Sequence, residues 1–449
     1  MSSALQSPYR EVRRHELRKN RMLMVDGNLV VNQRMSEGGL SSRVYDGGYW
    51  GFASAPGGDA AELEQQALRN ARAMARFGAR QPHALPGGAY RGEHRYAGKP
   101  AMSAGDCSDR LAALHAHCKQ RYPGLKSTRF VLLEEEHVKR LTTSVGGESL
   151  ASIQRALCYL TLIGEDEQGT PIEVFEPLSC KGSLAEIDFT VDALAPLLDR
   201  MHGHLQAKRH AVQAEGGLHT VVMAPKLAGM LAHEAMGHPC EADIVLGGAI
   251  TGDLVGQRVA SDLVSMVDFA HSVDGAEAMV PVYVDDEGTP ARDAVLIERG
   301  ILKGFMSSRE TAARLGIEAT GSARAFGPND EPLVRMRNTA ILPGRDKYED
   351  MIAGVERGYL LLNTANGQAD STTEFMFGIT LAYEIRDGRI GRAVRDTTLS
   401  GSAIKVLQSV DAVSDDMYWD CSGYCGKKQT MVVSMGGPAL RAQAHLGGQ

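Results

Sequence analysis

His233-Glu234-Ala235-Met236-Gly237-His238 sets two imidazoles and a carboxylate within about one and a half turns of a helix. The apolar residues Leu227, Ala228, Met230 and Leu231 precede it, and Pro225 stands where proline is favoured in a first helical turn. Neutral imidazoles are good zinc ligands, and an adjacent carboxylate can accept a proton from a water that a metal polarises. This chemistry points to a metal-dependent hydrolase, a peptidase foremost. In the HExxH pattern of zinc peptidases the histidines are four apart, on one helical face. Here they are five apart, which in a regular α-helix separates them by roughly 140° rather than about 40°. Two backbone solutions bring them together. One wide π turn reduces the angle to about 50°. Alternatively the helix ends near Met236, with Gly237 free to swing His238 round and Pro239 preventing continuation. The competing reading is two unrelated histidines on a buried helix.

Working outward, Val221-Val222-Met223-Ala224-Pro225 runs into this helix, and Glu241-Ala242-Asp243 follows it. Arg43-Val44-Tyr45-Asp46-Gly47 and Trp50-Gly51-Phe52-Ala53-Ser54 lie near the N-terminus. Asp286-Glu287-Gly288-Thr289-Pro290, Arg335-Met336-Arg337-Asn338-Thr339, Pro343-Gly344 and Cys425-Gly426-Lys427 come later. In this order the pieces resemble the TldD/PmbA family of zinc peptidases, whose active members carry HEAxGH followed by E-x-D, and a CGK segment. The resemblance covers most of the chain. It implies pairing of catalytic with non-catalytic subunits; the two-histidine helix and a distal cysteine lead to an expectation of one zinc ion per catalytic chain, and the lack of an apolar span or signal-peptide core to a cytoplasmic protein. The family commonly reads CGK-x-G-Q; this chain has Cys425-Gly426-Lys427-Lys428-Gln429, a residue shorter and without the second glycine.

A catalytic zinc has three protein ligands and one open position. His233 and His238 supply two. Glu241, Asp243, Cys240, Cys421 and Cys425 are candidates for the third, and the family resemblance selects Cys425. A thiolate is a strong soft ligand that metal binding keeps deprotonated. Cys421 and Cys425 also read as half of a structural C-x3-C site, but no second cysteine pair completes one. Glu234 is the expected general base, taking a proton from the attacking water and returning it to the leaving amine. Arg324, Arg335 and His271 are candidate oxyanion donors, with structural roles as the alternative. Strand edges in the second half suit an extended peptide, and therefore short or unfolded substrates.

The function expected is zinc-dependent hydrolysis of peptide bonds. The alternatives are a non-catalytic PmbA-like subunit and a zinc hydrolase of another amide. A PmbA/TldE-like paralogue is the expected partner, forming a heterodimer, with a homodimer as the rival.

Composition bounds the rest. A 449-residue chain exceeds one simple core. Lys and Arg total 48 against 55 Asp and Glu, a formal charge of −7, which argues against a nucleic-acid binder. The basic run Arg13 to Arg21 reads as a solvated face or a contact to an acidic partner. No stretch approaches the ~20 apolar residues of a membrane span, and Met1 to Tyr9 lacks a signal-peptide core. Seven scattered cysteines form no disulfide framework, consistent with a reducing compartment.

The expected class is α+β in two domains, an N-terminal mixed α/β domain over 1–214 and a strand-rich, metal-binding C-terminal domain over 215–449. Expected in the first are strands Tyr9 to Arg14 and Leu23 to Gln33, and a hairpin from Leu40 to Ser54. An Asp59-capped helix stops at Gly78, a loop runs from Gln81 to Pro100, and a helix surrounds Leu111, Leu114 and Cys118. Three strands (Thr128 to Glu135, His137 to Val145, Leu150 to Ile163) and a helix from Val191 to Val212 follow. Expected in the second are strand Thr220 to Ala224 and a sheet of Val282 to Asp286, Ala294 to Glu298 and Ile301 to Met306. A meander of Gly358 to Asn363, Glu374 to Arg386 and Arg389 to Thr398 turns at Asp387-Gly388, and a helix runs from Ser402 to Ser409.

Overall fold

The computed structural model describes residues 8–78 and 80–447. The fold is α+β. The N-terminal half is one sheet, antiparallel except for the parallel pairing of Arg91–His94 with Glu148–Glu165, with helices against it. Its strands are β1 (Tyr9–Val25), β2 (Asn28–Asp46), β3 (Tyr49–Ala55), β4 (Arg91–His94), β5 (Ser127–Thr143), β6 (Glu148–Glu165) and β7 (Pro171–Lys181). The spatial order is β3-β2-β1-β5-β6, and both β4 and β7 pair with β6. Helices α1 (Ala60–Met74), α2 (Ala104–Arg121) and α3 (Val191–Lys208) complete it.

Local signals place the helices. The Asp59 carboxylate accepts from the Ala61 amide at 2.9 Å, capping α1 as expected. Helix α1 rides directly on β3 because Gly51 has no side chain: a Cβ there would sit 1.9 Å from the Ala67 carbonyl oxygen. Helices α2 and α3 bury Leu111, Leu114, Leu198 and Leu205 against Phe130 and Leu160 of the sheet.

Several boundaries differ from expectation: a turn at Asp26-Gly27 breaks the expected strand Leu23 to Gln33, β2 runs through Gly38-Gly39, and β4 lies within the expected loop Gln81 to Pro100. β1 runs unbroken through the basic segment, and β5 runs unbroken through Glu136. In β1 the charges alternate: Arg14, Glu16 and Arg18 face solvent while Arg13, His15 and Leu17 are buried. The run is therefore not one solvated face. Arg13 reaches across to the C-terminal half, donating to the carbonyl oxygens of Gly327 and Asp330.

In the C-terminal half, β8 (Gly217–Met223) lies between strands Arg357–Ala369 and Leu440–Gly447. The second of these pairs with Thr397–Ser402, which pairs with Glu374–Arg386, which pairs back onto Arg357–Ala369. Five strands thus close into a ring that hides their edges over the paired lengths. The expected turn at Asp387-Gly388 is present, with φ of 49° and 72°, the positive values a two-residue hairpin loop of this kind requires.

A second sheet orders Ile301–Leu302, Ala294–Glu298, Met266–Phe269, Asn338–Ile341, Ser434–Gly437 and Tyr418–Asp420. Val282 to Asp286 is not among its strands. Asp285 folds that segment into a turn, its carboxylate accepting from the amides of Glu287, Thr289 and Ala323. Helix α4 (Pro225–Leu231) enters from β8 and fills the space between the two sheets, with Leu227 and Leu231 fully buried. Gly229 lets it approach the Gly436 backbone, which a Cβ would meet at 3.3 Å. No helix among the described residues is long and apolar enough to cross a membrane.

Candidate metal centre

Helix α4 changes winding where the two histidines stand. Ala232–Gly237 is a π turn, in which the His238 amide bonds to the His233 carbonyl five residues back. Of the two backbone solutions to a five-residue spacing, the wide turn is the one adopted. Pro239 carries no amide proton, and a short 3-10 turn over His238–Cys240 ends the element. The two imidazole rings lie 5.1 Å apart between centroids and nearly perpendicular, at 81°.

Gly237 is required by packing. A Cβ at this position would lie 2.3 Å from the Met336 sulfur and 3.2 Å from the Ala232 carbonyl oxygen, and Met336 is itself fully buried. Gly237→Ala is expected to destabilise the chain by about 1–3 kcal/mol, the usual range for overpacking. Denaturant titration checks it; an unchanged midpoint would mean the helix has slack at this turn.

Cys425 comes from a two-stranded hairpin, Tyr424–Lys427 paired with Gln429–Val432. One residue, Lys428, makes the tip, at φ of 59°. This is how the chain closes the loop that lacks the second glycine of the family pattern. The hairpin brings the Cys425 sulfur 3.1 Å from His238 Nε2. One ligand atom from each of His233, His238 and Cys425 falls within 4.8 Å of the others. His233 is 1% exposed and its Nδ1 has no hydrogen-bond partner within the protein. A buried, unpartnered imidazole nitrogen beside a second imidazole and a thiol is a donor set that fits zinc.

The electrostatics separate the candidate ligands. Burial pushes the Cys425 thiol up, but the His233 and His238 imidazoles outweigh it and bring the thiol down to about 4. Burial pushes Cys240 up to about 12, and Cys421 up to about 11. Cys421 packs against Val280 and Val432. Glu241 is held as an anion at about 2: burial opposes this, and His238 and Lys427 overcome it. Its Oε2 lies 2.8 Å from His238 Nδ1, which orients the ring so that Nε2 faces the Cys425 sulfur, and these two acceptors raise the His238 pKa against the effect of burial. Lys427 Nζ sits 3.1 Å from the same carboxylate oxygen and 3.0 Å from each oxygen of Asp243.

Glu234 projects elsewhere. Its carboxylate reaches 3.9 Å from His238 Nε2 and lines an open cleft of about 410 Å³. Gly367 to Ser371 form one wall of the cleft; Tyr424, Gly426 and Lys427 form another. The expected oxyanion candidates do not come to this cleft. Arg324 is buried and donates to the Met336 carbonyl; His271 stacks on Tyr283. Arg335 donates to the Cys425, Lys427 and Gln429 carbonyls, holding the hairpin. The orienting pair Glu241 and Lys427 was visible in sequence only as an acidic E-x-D and a lysine after the cysteine; their meeting needs the fold.

Residues 216–446 match the profile described as the PmbA/TldA metallopeptidase C-terminal domain, and residues 11–75 match PmbA/TldA metallopeptidase domain 1. A protein named a metalloprotease from Methanothermobacter thermautotrophicus is 30% identical over 98% of this chain and 95% of its own. A zinc metalloprotease TldD homolog from Saccharolobus solfataricus is 31% identical over 72% of this chain and 71% of its own. The crystal structure of TldE from Thermococcus kodakarensis superposes with a TM-score of 0.77 at 18% identity, covering 98% of this chain and 97% of that one.

Proposed function

The chain belongs to the TldD/PmbA metallopeptidase family, and on that premise we propose that it is a zinc-dependent peptidase acting on short or unfolded peptides. The observation that carries this reading is the convergence of His233, His238 and Cys425 beside a free carboxylate, Glu234, at the mouth of a cleft. These three residues would hold one zinc ion per chain. When bound, the ion supplies Lewis acidity, which polarises a carbonyl and shifts the pKa of water towards about 7.

The protein's own groups do the rest. Glu234 takes the proton of the attacking water on a carboxylate oxygen and returns it to the leaving amine. Glu241 fixes the tautomer of His238, and Lys427 fixes Glu241. Strand Arg357–Ala369 pairs with β8 only over Gly358–Leu361. Past Leu361 its edge is open among the described residues, and Gly367 to Ala369 line the cleft. An extended peptide added there would be read by main chain, which suits unfolded segments. The test is cleavage of a peptide library followed by mass spectrometry, with and without chelator. Chelator-sensitive cleavage is expected; cleavage that persists in zinc-free protein would reject the reading.

A paralogous subunit is the proposed partner. β2 pairs with β3 only from Leu40 onwards, leaving the Asn28–Gly38 edge open among the described residues, with Leu29, Val30 and Met35 exposed. Such an edge is commonly covered by another chain. Solution mass and peptide turnover are expected to change when a related chain lacking the HExxxH motif is added. Full activity as a homodimer or monomer, unaffected by that addition, would reject the partner and leave the zinc site intact.

A further inference from the structure

We propose that Arg155, on the N-terminal sheet, is a positioning residue for Cys425, so that half of the frame around the thiolate comes from the other half of the chain. The proposal rests on the reading of Cys425 as a zinc ligand.

The two histidines are fixed relative to each other by one π turn. Cys425 stands 187 residues beyond His238, so its distance from them is set by tertiary docking. The residues leading into it, 421–423, lie between strand Tyr418–Asp420 and the Cys425 hairpin and belong to neither. Backbone groups in such a segment still need partners. The N-terminal sheet provides them. Arg155 Nη1 donates to the carbonyl oxygens of Cys421 and Gly423, the latter at 2.8 Å. The Tyr159 hydroxyl donates to the Ser422 carbonyl at 2.6 Å. Ser179 accepts from the Cys421 amide at 3.0 Å and donates to Asp420 at 2.8 Å. Three successive carbonyls before the ligand's hairpin are therefore held by β6.

Arg155 is itself held rigidly. It is 1% exposed, and its Nε and Nη2 lie 3.2 and 3.1 Å from Glu135 Oε2. Lys19, Glu135 and Arg155 are direct cross-strand neighbours on β1, β5 and β6, a row of alternating charge across the sheet. Glu135 also accepts from the Tyr424 hydroxyl at 2.8 Å, and the Arg155 guanidinium lies over the Tyr424 ring, 4.2 Å from its centroid. Downstream, Arg335 takes the carbonyls of Cys425, Lys427 and Gln429. Cys425 thus sits between two guanidinium clamps, one from each half. Apolar side chains would fill the space at lower desolvation cost. What a planar fork adds is direction, and a metal site depends on ligand placement to about half an ångström.

The test uses the full chain. Arg155→Lys keeps a cation beside Glu135 but cannot span the carboxylate and two carbonyls. Tyr159→Phe is isosteric and removes one donor. Zinc affinity is measured by chelator competition, the thiolate-to-cobalt charge-transfer band by absorption, and the melting temperature on metal-free protein. Arg155→Lys is expected to weaken zinc binding about 10–100-fold, the range for residues that support a ligand, and to weaken the cobalt band. Tyr159→Phe is expected to do the same to a smaller extent, and it decides the matter should Arg155→Lys fail to fold. Leu160→Ala, on the same strand but facing the core of the N-terminal half, is expected to lower the melting temperature while leaving zinc affinity unchanged. Unchanged affinity and band in both Arg155→Lys and Tyr159→Phe would overturn the proposal, as would equal zinc loss in Leu160→Ala. Zinc retained by Cys425→Ser would instead fail the ligand assignment, and the positioning proposal with it.

Discussion

Glu234→Gln is expected to retain zinc and the native fold while peptide hydrolysis falls by about 10²–10⁴-fold, the usual contribution of a general base. The expectation follows from where this side chain lies. It is adjacent in sequence to His233, lines the cleft with 18% of its side chain exposed, and borders the ligand cluster at 3.9 Å from His238 Nε2. Glutamine keeps its length and shape and removes only the ability to accept the proton. Because the three ligand atoms converge without Glu234, metal content should be unaffected. Single-turnover hydrolysis of a flexible peptide by zinc-loaded variant and parent measures the loss. Near-normal turnover would assign the base to another residue.

Cys425→Ser is expected to weaken zinc binding by more than the roughly 10–100-fold typical of losing a residue that only supports a ligand. The parallel Cys421→Ser should leave zinc in place. The two cysteines are four apart in sequence but sit in opposite environments. Two imidazoles hold Cys425 as a thiolate, while burial among Val280 and Val432 keeps Cys421 a thiol. Metal analysis of both variants after dialysis separates them. Zinc lost from Cys421→Ser alone would move the ligand.

Local signals were legible in the sequence and distant ones were not. The Asp59 cap, the Asp387-Gly388 turn and the helix after Ser402 each rest on chemistry within a few residues, and each appears in the structure. The strand expected at Tyr9 to Arg14 is present, but its continuation to Val25 was hidden because charged residues alternate on its two faces, and a strand with Arg13 and His15 turned inward reads as a polar run. Val282 to Asp286 has the β-branched pattern of a strand, but its last residues enter a turn in which the Asp285 carboxylate accepts from the Glu287 and Thr289 amides. At the site, the helix spacing narrowed the backbone to two solutions, and Gly237 against Met336 shows how tightly the adopted one is packed. The distal cysteine entered through family resemblance, because nothing local to it announces two imidazoles, the nearer of them 187 residues away. The row Lys19, Glu135 and Arg155 had no signal at all, since its members meet only through strand register.

The central claim is that one zinc is held by two imidazoles from a single π turn and one thiolate from a distant hairpin. X-ray absorption at the zinc edge, on the purified chain loaded to saturation, tests it most directly. Expected is a first shell with one sulfur at about 2.3 Å and nitrogen or oxygen neighbours at about 2.0–2.1 Å, the sulfur disappearing in Cys425→Ser. A shell without sulfur, or one with two sulfurs, would contradict it.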